Sequence, residues 1–308
     1  ATGNSMEGFH NFGMGILKRD NNGDTWTNTT DLDLSTPPPP NPNNYPFYGQ
    51  SLALKLVFSL SDPTTLYALC NDRLFKTNDD DFSWILLDQL TPSVIESFFD
   101  IRTVPGSPNT LVVASKGTNA KVHLSLDNGD TWTDVTPPHA YGALDSHSDK
   151  MCIATSNSKV HVIYPYVASG NNTIRPYKIY DLTAATPQWQ LVNANVPGLD
   201  LDNNDSVFDI NLTNENIIYA GKVHLKRSIN GGLSFQEIYP IEQHDDVRAL
   251  QIYTSTTSEA NDVLLIGNDG GVSKSTSGGN VWETLNGNLV ATEFFDIAVS
   301  PARPGVVA

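Results

Sequence analysis

One short pattern recurs along the chain and constrains its fold more than any other feature. In Ser125-Leu126-Asp127-Asn128-Gly129-Asp130-Thr131-Trp132, a turn with an Asn-Gly centre lies between apolar residues that alternate with polar ones. That arrangement is the strongest short-range signal of a β-hairpin. Asp127 is placed to accept backbone N–H bonds within the turn, Gly129 can take a positive φ, and Trp132 is large enough to pack on the hairpin.

The pattern returns in register. Arg19 to Trp26 is nearly a copy, with Asn21, Gly23 and Trp26 in the corresponding places. Thr77 to Trp84 keeps Asp79 and the aromatic; Ser228 to Phe235 keeps Asn230, Gly232 and Phe235; Ser275 to Trp282 keeps Gly279 and Trp282. A worn copy ends at Trp189. The aromatics at 26, 84, 132, 189, 235 and 282 are separated by 58, 48, 57, 46 and 47 residues. A period near 50 residues denotes a solenoid, a propeller or an array. Each repeat also contains four short β-type runs, such as Phe98-Phe99-Asp100-Ile101 followed by Leu111-Val112-Val113-Ala114, and no segment sustains a helical apolar period.

These turns resemble the Asp-box of the bacterial neuraminidase repeat (BNR) family, Ser/Thr-x-Asp-x-Gly-x-Thr-Trp/Phe. The resemblance covers nearly the whole chain and is closer to long secreted bacterial repeat proteins than to true sialidases. It implies a β-propeller in which each box joins the two outer strands of a blade. The expected fold is therefore all-β, a propeller of four-stranded blades with six repeats. The blades would span approximately 51–92, 97–137, 149–195, 206–241 and 247–289. A sixth would be made of 293–308 joined to 1–34 by pairing of the terminal strands. The alternative is a piece of a longer array. The resemblance also implies a secreted or cell-surface, bacterial protein.

The chain has 308 residues, a formal charge of −16 and 17% charged residues. Such a surface repels a phosphate backbone, so no nucleic-acid partner is expected. No apolar run approaches the length of a membrane span. Cys70 and Cys152, the only cysteines, lie in apolar runs of different repeats and read as buried thiols rather than a disulfide or metal pair.

In a four-stranded blade the first-to-second and third-to-fourth turns share one face, and the remaining connections share the other. The boxes belong to the first face. The long insertions 1–14, 35–50, 136–149, 166–177 and 192–206 belong to the second, which is the expected binding face. Segment 35–50 is held extended by its prolines and carries Tyr45, Phe47 and Tyr48. His139, Tyr141, His147 and Asp149 add a second group of candidates. Alternation along an extended chain would put His244, Asp246 and Arg248 on one side. Long secreted proteins of the resembled type carry a His-x-Asp-x-His run before a blade ending in Asn-Asp-Gly-Gly, and Asn268-Asp269-Gly270-Gly271 is present here, with Arg248 in place of the second histidine. Hydrogen bonds tying blades together are the competing reading of these three residues.

No cofactor is expected. Calcium is the alternative at Asp200, Asp202, Asn204 and Asp205, whose oxygens alternate as in calcium loops, but the sixth position is not Gly and no Glu follows at the twelfth. A sialidase is excluded by a count of seven arginines and the order Ile174-Arg175-Pro176. Two functions stay open. One is a non-catalytic module binding a protein or a neutral glycan through the insertion-bearing face; sequence assigns it no oligomeric state. The other is a xyloglucanase-type glycoside hydrolase using two opposed carboxylates, with Glu7, Asp145, Asp149, Asp205, Glu242 and Glu293 as available acids.

Overall fold

Short apolar runs separated by Asn-, Gly- and Pro-rich turns cannot bury themselves singly; they do so by stacking sheets face to face. A computed structural model describes residues 17–18, 27–28, 53–70, 73–78, 84–87, 89–90, 96–117, 120–138, 151–164, 166–168, 172–199, 201, 206–238, 244–255, 258–268 and 270–286. Five four-stranded antiparallel meanders form the blades of a β-propeller.

Blade 1 is β3 (Ala53–Phe58), β4 (Leu66–Cys70), β5 (Arg73–Thr77) and β6 (Ile85–Leu86). Blade 2 is β7 (Glu96–Val104), β8 (Ser107–Gly117), β9 (Val122–Ser125) and β10 (Thr133–Asp134). Blade 3 is β11 (Cys152–Ser156), β12 (Lys159–Ile163), β15 (Tyr177–Asp181) and β16 (Trp189–Asn193). Between its second and third strands a separate two-stranded ribbon is inserted, β13 (Tyr166–Ala168) with β14 (Asn172–Ile174). Blade 4 is β17 (Val207–Ile210), β18 (Ile218–Gly221), β19 (Leu225–Ser228) and β20 (Gln236–Glu237). Blade 5 is β21 (Ala249–Tyr253), β22 (Val263–Asn268), β23 (Gly271–Ser275) and β24 (Glu283–Thr284). The first strand of each blade packs against the first strand of the next, from β3 through β7, β11 and β17 to β21.

The expectation of six blades is corrected to five. The first repeat contributes only β1 (Leu17–Lys18) paired with β2 (Thr27–Asn28) among the described residues. The miscount has a physical reason: the repeated motif specifies one hairpin, and a blade needs two further strands. Of the strands expected to close the ring, in 293–308 and 10–18, only Leu17 and Lys18 are described, and the pairing itself lies outside the described residues.

The core is divided among the interfaces between blades. Tyr67, Leu69 and Leu74 of blade 1 meet Phe98, Ile101, Leu111 and Val113 of blade 2. Val112, Val122 and Leu124 meet Ile153, Val160 and Val162; Ala154 and Tyr177 meet Phe208, Ile210 and Ile218; Tyr219 and Leu225 meet Val247, Leu264 and Ile266. Cys152 is buried in the third of these layers. Second strands are covered on both faces, which is why they read as unbroken apolar runs. Fourth strands are exposed and, except for β16, two residues long. No described helix is long and apolar enough to cross a membrane.

Candidate functional site

The repeated turns are built by the side chains that define them. In blade 2, Asp127 accepts from Thr131 N (2.8 Å), Thr131 Oγ1 (2.6 Å) and Ser125 Oγ (2.8 Å). Gly129 N donates to Ser125 Oγ at 2.8 Å, and the Trp132 indole donates to Gly129 O at 3.0 Å. The Thr131 bonds, the largest influence, hold the Asp127 carboxyl below its ordinary pKa. Gly129 has φ 91°, which favours glycine, and a Cβ there would come 2.8 Å from the Leu87 Cδ1 methyl of the preceding blade, which would have to turn aside. Asn230 reproduces the aspartate, accepting from Ser234 N (3.0 Å) and Ser228 Oγ (2.9 Å); Gly232, at φ 85°, lies on Tyr177 of blade 3. Trp282 donates to Gly279 O (2.9 Å) and to Ile238 O of blade 4 (3.0 Å). Trp84 and Phe235 are partly buried on blades 1 and 4. Asn21, Gly23, Trp26 and Asp79 lie outside the described residues.

The meander sends all these turns to one end of the blades. The other end receives the connections between blades and between second and third strands. The segments 136–149 and 192–206 each join one blade to the next, 35–50 lies between β2 and blade 1, and 166–177 joins β12 to β15. Of the candidates there, Tyr45, Phe47, Tyr48, His139, Tyr141, His147 and Asp149 lie outside the described residues, as do Asp200, Asp202, Asn204 and Asp205. The acids weighed for catalysis (Glu7, Asp145, Asp205, Glu242 and Glu293) do so too. Leu201 is described and buried, and its carbonyl accepts from the Arg175 guanidinium at 3.3 and 3.4 Å. Arg175 O also accepts from Val196 N at 2.9 Å, so the base of the β13–β14 ribbon is tied to the connection between blades 3 and 4.

His244, Asp246 and Arg248 are not on an extended chain. Asp246 has φ 66°, which breaks the alternation that would put the three on one side. Their backbone is fixed to both neighbours: Asp246 N donates to Val223 O (3.1 Å), Arg248 N to Gly267 O (2.9 Å), and Asn268 Nδ2 donates to His244 O (2.9 Å). Nearby, His224 lies 3.2 Å from Glu237 Oε1 and 3.1 Å from Asp245 Oδ1.

Sequence reading passed over a charged cluster on the first strands. Arg102 lies 3.1 Å from Asp100 Oδ2 and 3.4 Å from Asp209 Oδ2, and also donates to Phe208 O at 3.3 Å; Lys55 of blade 1 pairs with Asp100 Oδ1. Three blades are thereby joined. Burial alone would raise the Asp100 carboxyl, but Arg102 and Lys55 outweigh it and hold it below its ordinary pKa. Burial likewise disfavours the Arg102 cation, and the two aspartates more than reverse this. A faint signal existed: Phe-Asp-Ile recurs at 99–101 and 208–210. The two aspartates are nevertheless not on equivalent rungs: Asp100 pairs with Ala114, three residues from the Leu111 opposite Ser125, whereas Asp209 pairs with Tyr219, next to the Ile218 opposite Ser228.

A second polar chain crosses blades 3 and 4. Ser156 Oγ donates to Glu215 Oε1 (2.7 Å), and Lys159 Nζ donates to Glu215 Oε2 (2.6 Å). Since the Ser156 proton is committed to Glu215, Ser156 Oγ accepts from His161 Nε2 (2.6 Å), and His161 Nδ1 accepts from Tyr177 OH (2.7 Å). Ser156, His161 and Tyr177 are buried. The proton direction is opposite to that of a histidine activating a serine nucleophile. Burial pushes the His161 pKa down to about 4 and raises that of Tyr177. No sequence signal joins residues separated by 5, 16 and 59 positions.

Among the described residues no group of three or more His, Cys, Asp or Glu side chains is arranged to hold a metal ion. Every described carboxyl whose pKa is displaced is displaced downward: Asp62, Asp100, Asp127, Asp134, Asp181 and Glu215.

No family model matches the chain. No curated protein matches it either. Among solved structures, it is similar to a GH74 xyloglucanase from Xanthomonas campestris, with a TM-score of 0.51 and 13% identity over 73% of this chain and 36% of that one. The chain thus spans about a third of the enzyme's length. A chain of the mitotic checkpoint complex gives a TM-score of 0.51 at 8% identity, over 81% of this chain and 74% of that one. YCF48 bound to D1 peptide gives 0.49 at 14% identity, over 90% and 78%. At such identities the likeness concerns the β-propeller fold alone.

Proposed function

We propose that this β-propeller is an Asp-box protein, secreted or held at a bacterial cell surface, that binds a protein or a neutral glycan through the face opposite the repeated turns and performs no chemistry. The observation that supports this reading most is the division of labour between the two ends of the blades. One end is closed by short turns whose side chains are used in their own hydrogen bonds. The other receives every long connection, and loops on a rigid scaffold are where recognition residues collect. The network from Ser125 to Trp132 supports the family assignment.

A screen against polysaccharides and cell-surface extracts tests the reading. Binding is expected without turnover, and the joint replacement of Tyr45, Phe47 and Tyr48 by Ala should abolish it while the melting temperature stays within a degree or so. Turnover of a glycan that disappears when one carboxylate of the connection face is replaced would establish the hydrolase instead.

A further inference from the structure

Two of the junctions between blades, 1–2 and 4–5, are built on one plan, and the first has the smaller side chains. In blade 1, Ser59 N donates to Thr65 O (2.9 Å); in blade 4, Asn211 N donates to Ile217 O (3.0 Å). In blade 2, Asn128 N donates to Asn109 O (2.8 Å); in blade 5, Gly278 N donates to Asp262 O (3.0 Å). Tyr67 pairs with Lys76 as Tyr219 pairs with Arg227. Ser59 and Asn109 therefore hold the places at the blade 1–2 junction that Asn211 and Asp262 hold at the blade 4–5 junction.

Between blades 4 and 5 the space is full. Asp262 is completely buried; its Oδ2 accepts from Asn211 Nδ2 (2.5 Å) and Tyr219 OH (3.4 Å), and its Oδ1 accepts from Ser255 N (2.8 Å). Between blades 1 and 2, the shorter Ser59 accepts only from Ser61 N (3.2 Å) and Asp62 N (3.3 Å), apart from its contact with Ser61 Oγ, and the Asn109 side chain is exposed. An open polar crevice of about 180 Å³ remains. Its walls include Ser59, Ser61, Asp62, Tyr67, Lys76 and Asn128.

The groups around this crevice are unevenly engaged. Asp62 accepts from Thr64 N, Thr64 Oγ1 and Thr65 Oγ1. Asn128 Oδ1 accepts from Ser61 Oγ at 3.1 Å, while Asn128 Nδ2 has no partner among the described residues. Lys76 Nζ reaches Asn128 O at 3.3 Å and is 3.9 Å from Asp130. The crevice thus offers amide and ammonium donors beside hydroxyl acceptors. The carboxylates Asp62 and Asp130 flank the single ammonium, and the chain carries −16 overall, which disfavours an anion.

We propose that the crevice between blades 1 and 2 binds one residue of a neutral sugar, whose hydroxyls accept from Asn128 Nδ2 and Lys76 and donate to the serine oxygens. This site is on the turn face and does not rest on the function proposed for the opposite face. Amide chemical shifts of the whole chain, followed while glucose is added, test it. Saturable shifts at Ser61, Asp62, Asn128 and Gly129, with millimolar affinity, are expected. Asn128→Gly keeps a backbone suited to positive φ and removes the amide; it should weaken binding about tenfold. The pair Ser59→Asn with Asn109→Asp, which rebuilds the filled junction, should eliminate it. Shifts that never saturate, equal affinity in Asn128→Gly and the original protein, or saturation by acetate but not glucose would each overturn the assignment. Should the double variant not fold, Asn128→Gly alone decides.

Discussion

The hairpin of blade 2 and its counterpart in blade 3 close equivalent outer edges by opposite means. Blade 2 closes locally: Asp127, Ser125, Thr131 and Trp132 bond within eight residues. In blade 3 the turn keeps only the Asp181 bonds to Thr183, and the Trp189 indole donates outward to Val135 O of blade 2. Fastening of blade 3 passes to the buried chain of Tyr177, His161, Ser156 and Glu215. A worn motif is thus compensated by contacts between blades, and the compensation introduces a buried histidine where the local version has the Asp127 carboxylate.

Four measurements press on this contrast. Trp132→Ala should cost about 3–4 kcal/mol in urea unfolding, since the partly buried ring packs against the blade 1–2 core; an unchanged midpoint would remove the hairpin from the stability account. Between pH 6.5 and 4 the pH response should belong to blade 3, since the blade 2 carboxyls held below their ordinary pKa, Asp100 and Asp127 among them, lose their contribution only at lower pH. An unfolded imidazole binds its proton near pH 6.5, whereas buried His161 does so only near pH 4. Stability is then complete above pH 6.5 and declines by about 3 kcal/mol as the pH falls toward 4. Glu215, held below its ordinary pKa against burial by Lys159 and Ser156, acts in the same direction. His161→Gln should flatten the profile, and an identical slope in the variant would assign the acid response elsewhere. Gly129→Ala should cost about 1–2 kcal/mol from its positive φ and the approach to Leu87. The smallest difference expected is between Asp127→Ala, about 1 kcal/mol for its three bonds, and Asp181→Ala, which removes two and should cost less. The reverse order would mean that the worn turn carries as much as the intact one.

The turns were legible because their grammar is local: Ser125, Asp127, Gly129 and Trp132 interact within a span that a sequence displays directly. The four-stranded blades followed from the same regularity. The number of blades did not, since a hairpin motif such as that ending at Trp26 is silent about the strands needed to complete a sheet. The charged cluster escaped notice for a related reason. Asp100 and Asp209 share their wording but lie on different rungs of their blades, and Arg102 meets Asp209 across 107 positions. His161 was likewise hidden among apolar neighbours, its partners supplied by other strands and another blade. For His244, Asp246 and Arg248 the alternation argument assumed an extended chain, and one left-handed residue removed that premise.

The length of the outer strands has a consequence for how the protein behaves when crowded. A two-residue edge, as in β6, β10, β20 and β24, is too brief a template for a foreign chain to extend a sheet. β16 runs for five residues, carries no charge in Trp-Gln-Leu-Val-Asn, and leaves Leu191 half exposed. Among the described blades it is the edge on which unwanted polymerisation would start, and the chain's net charge of −16 supplies the repulsion that keeps copies apart.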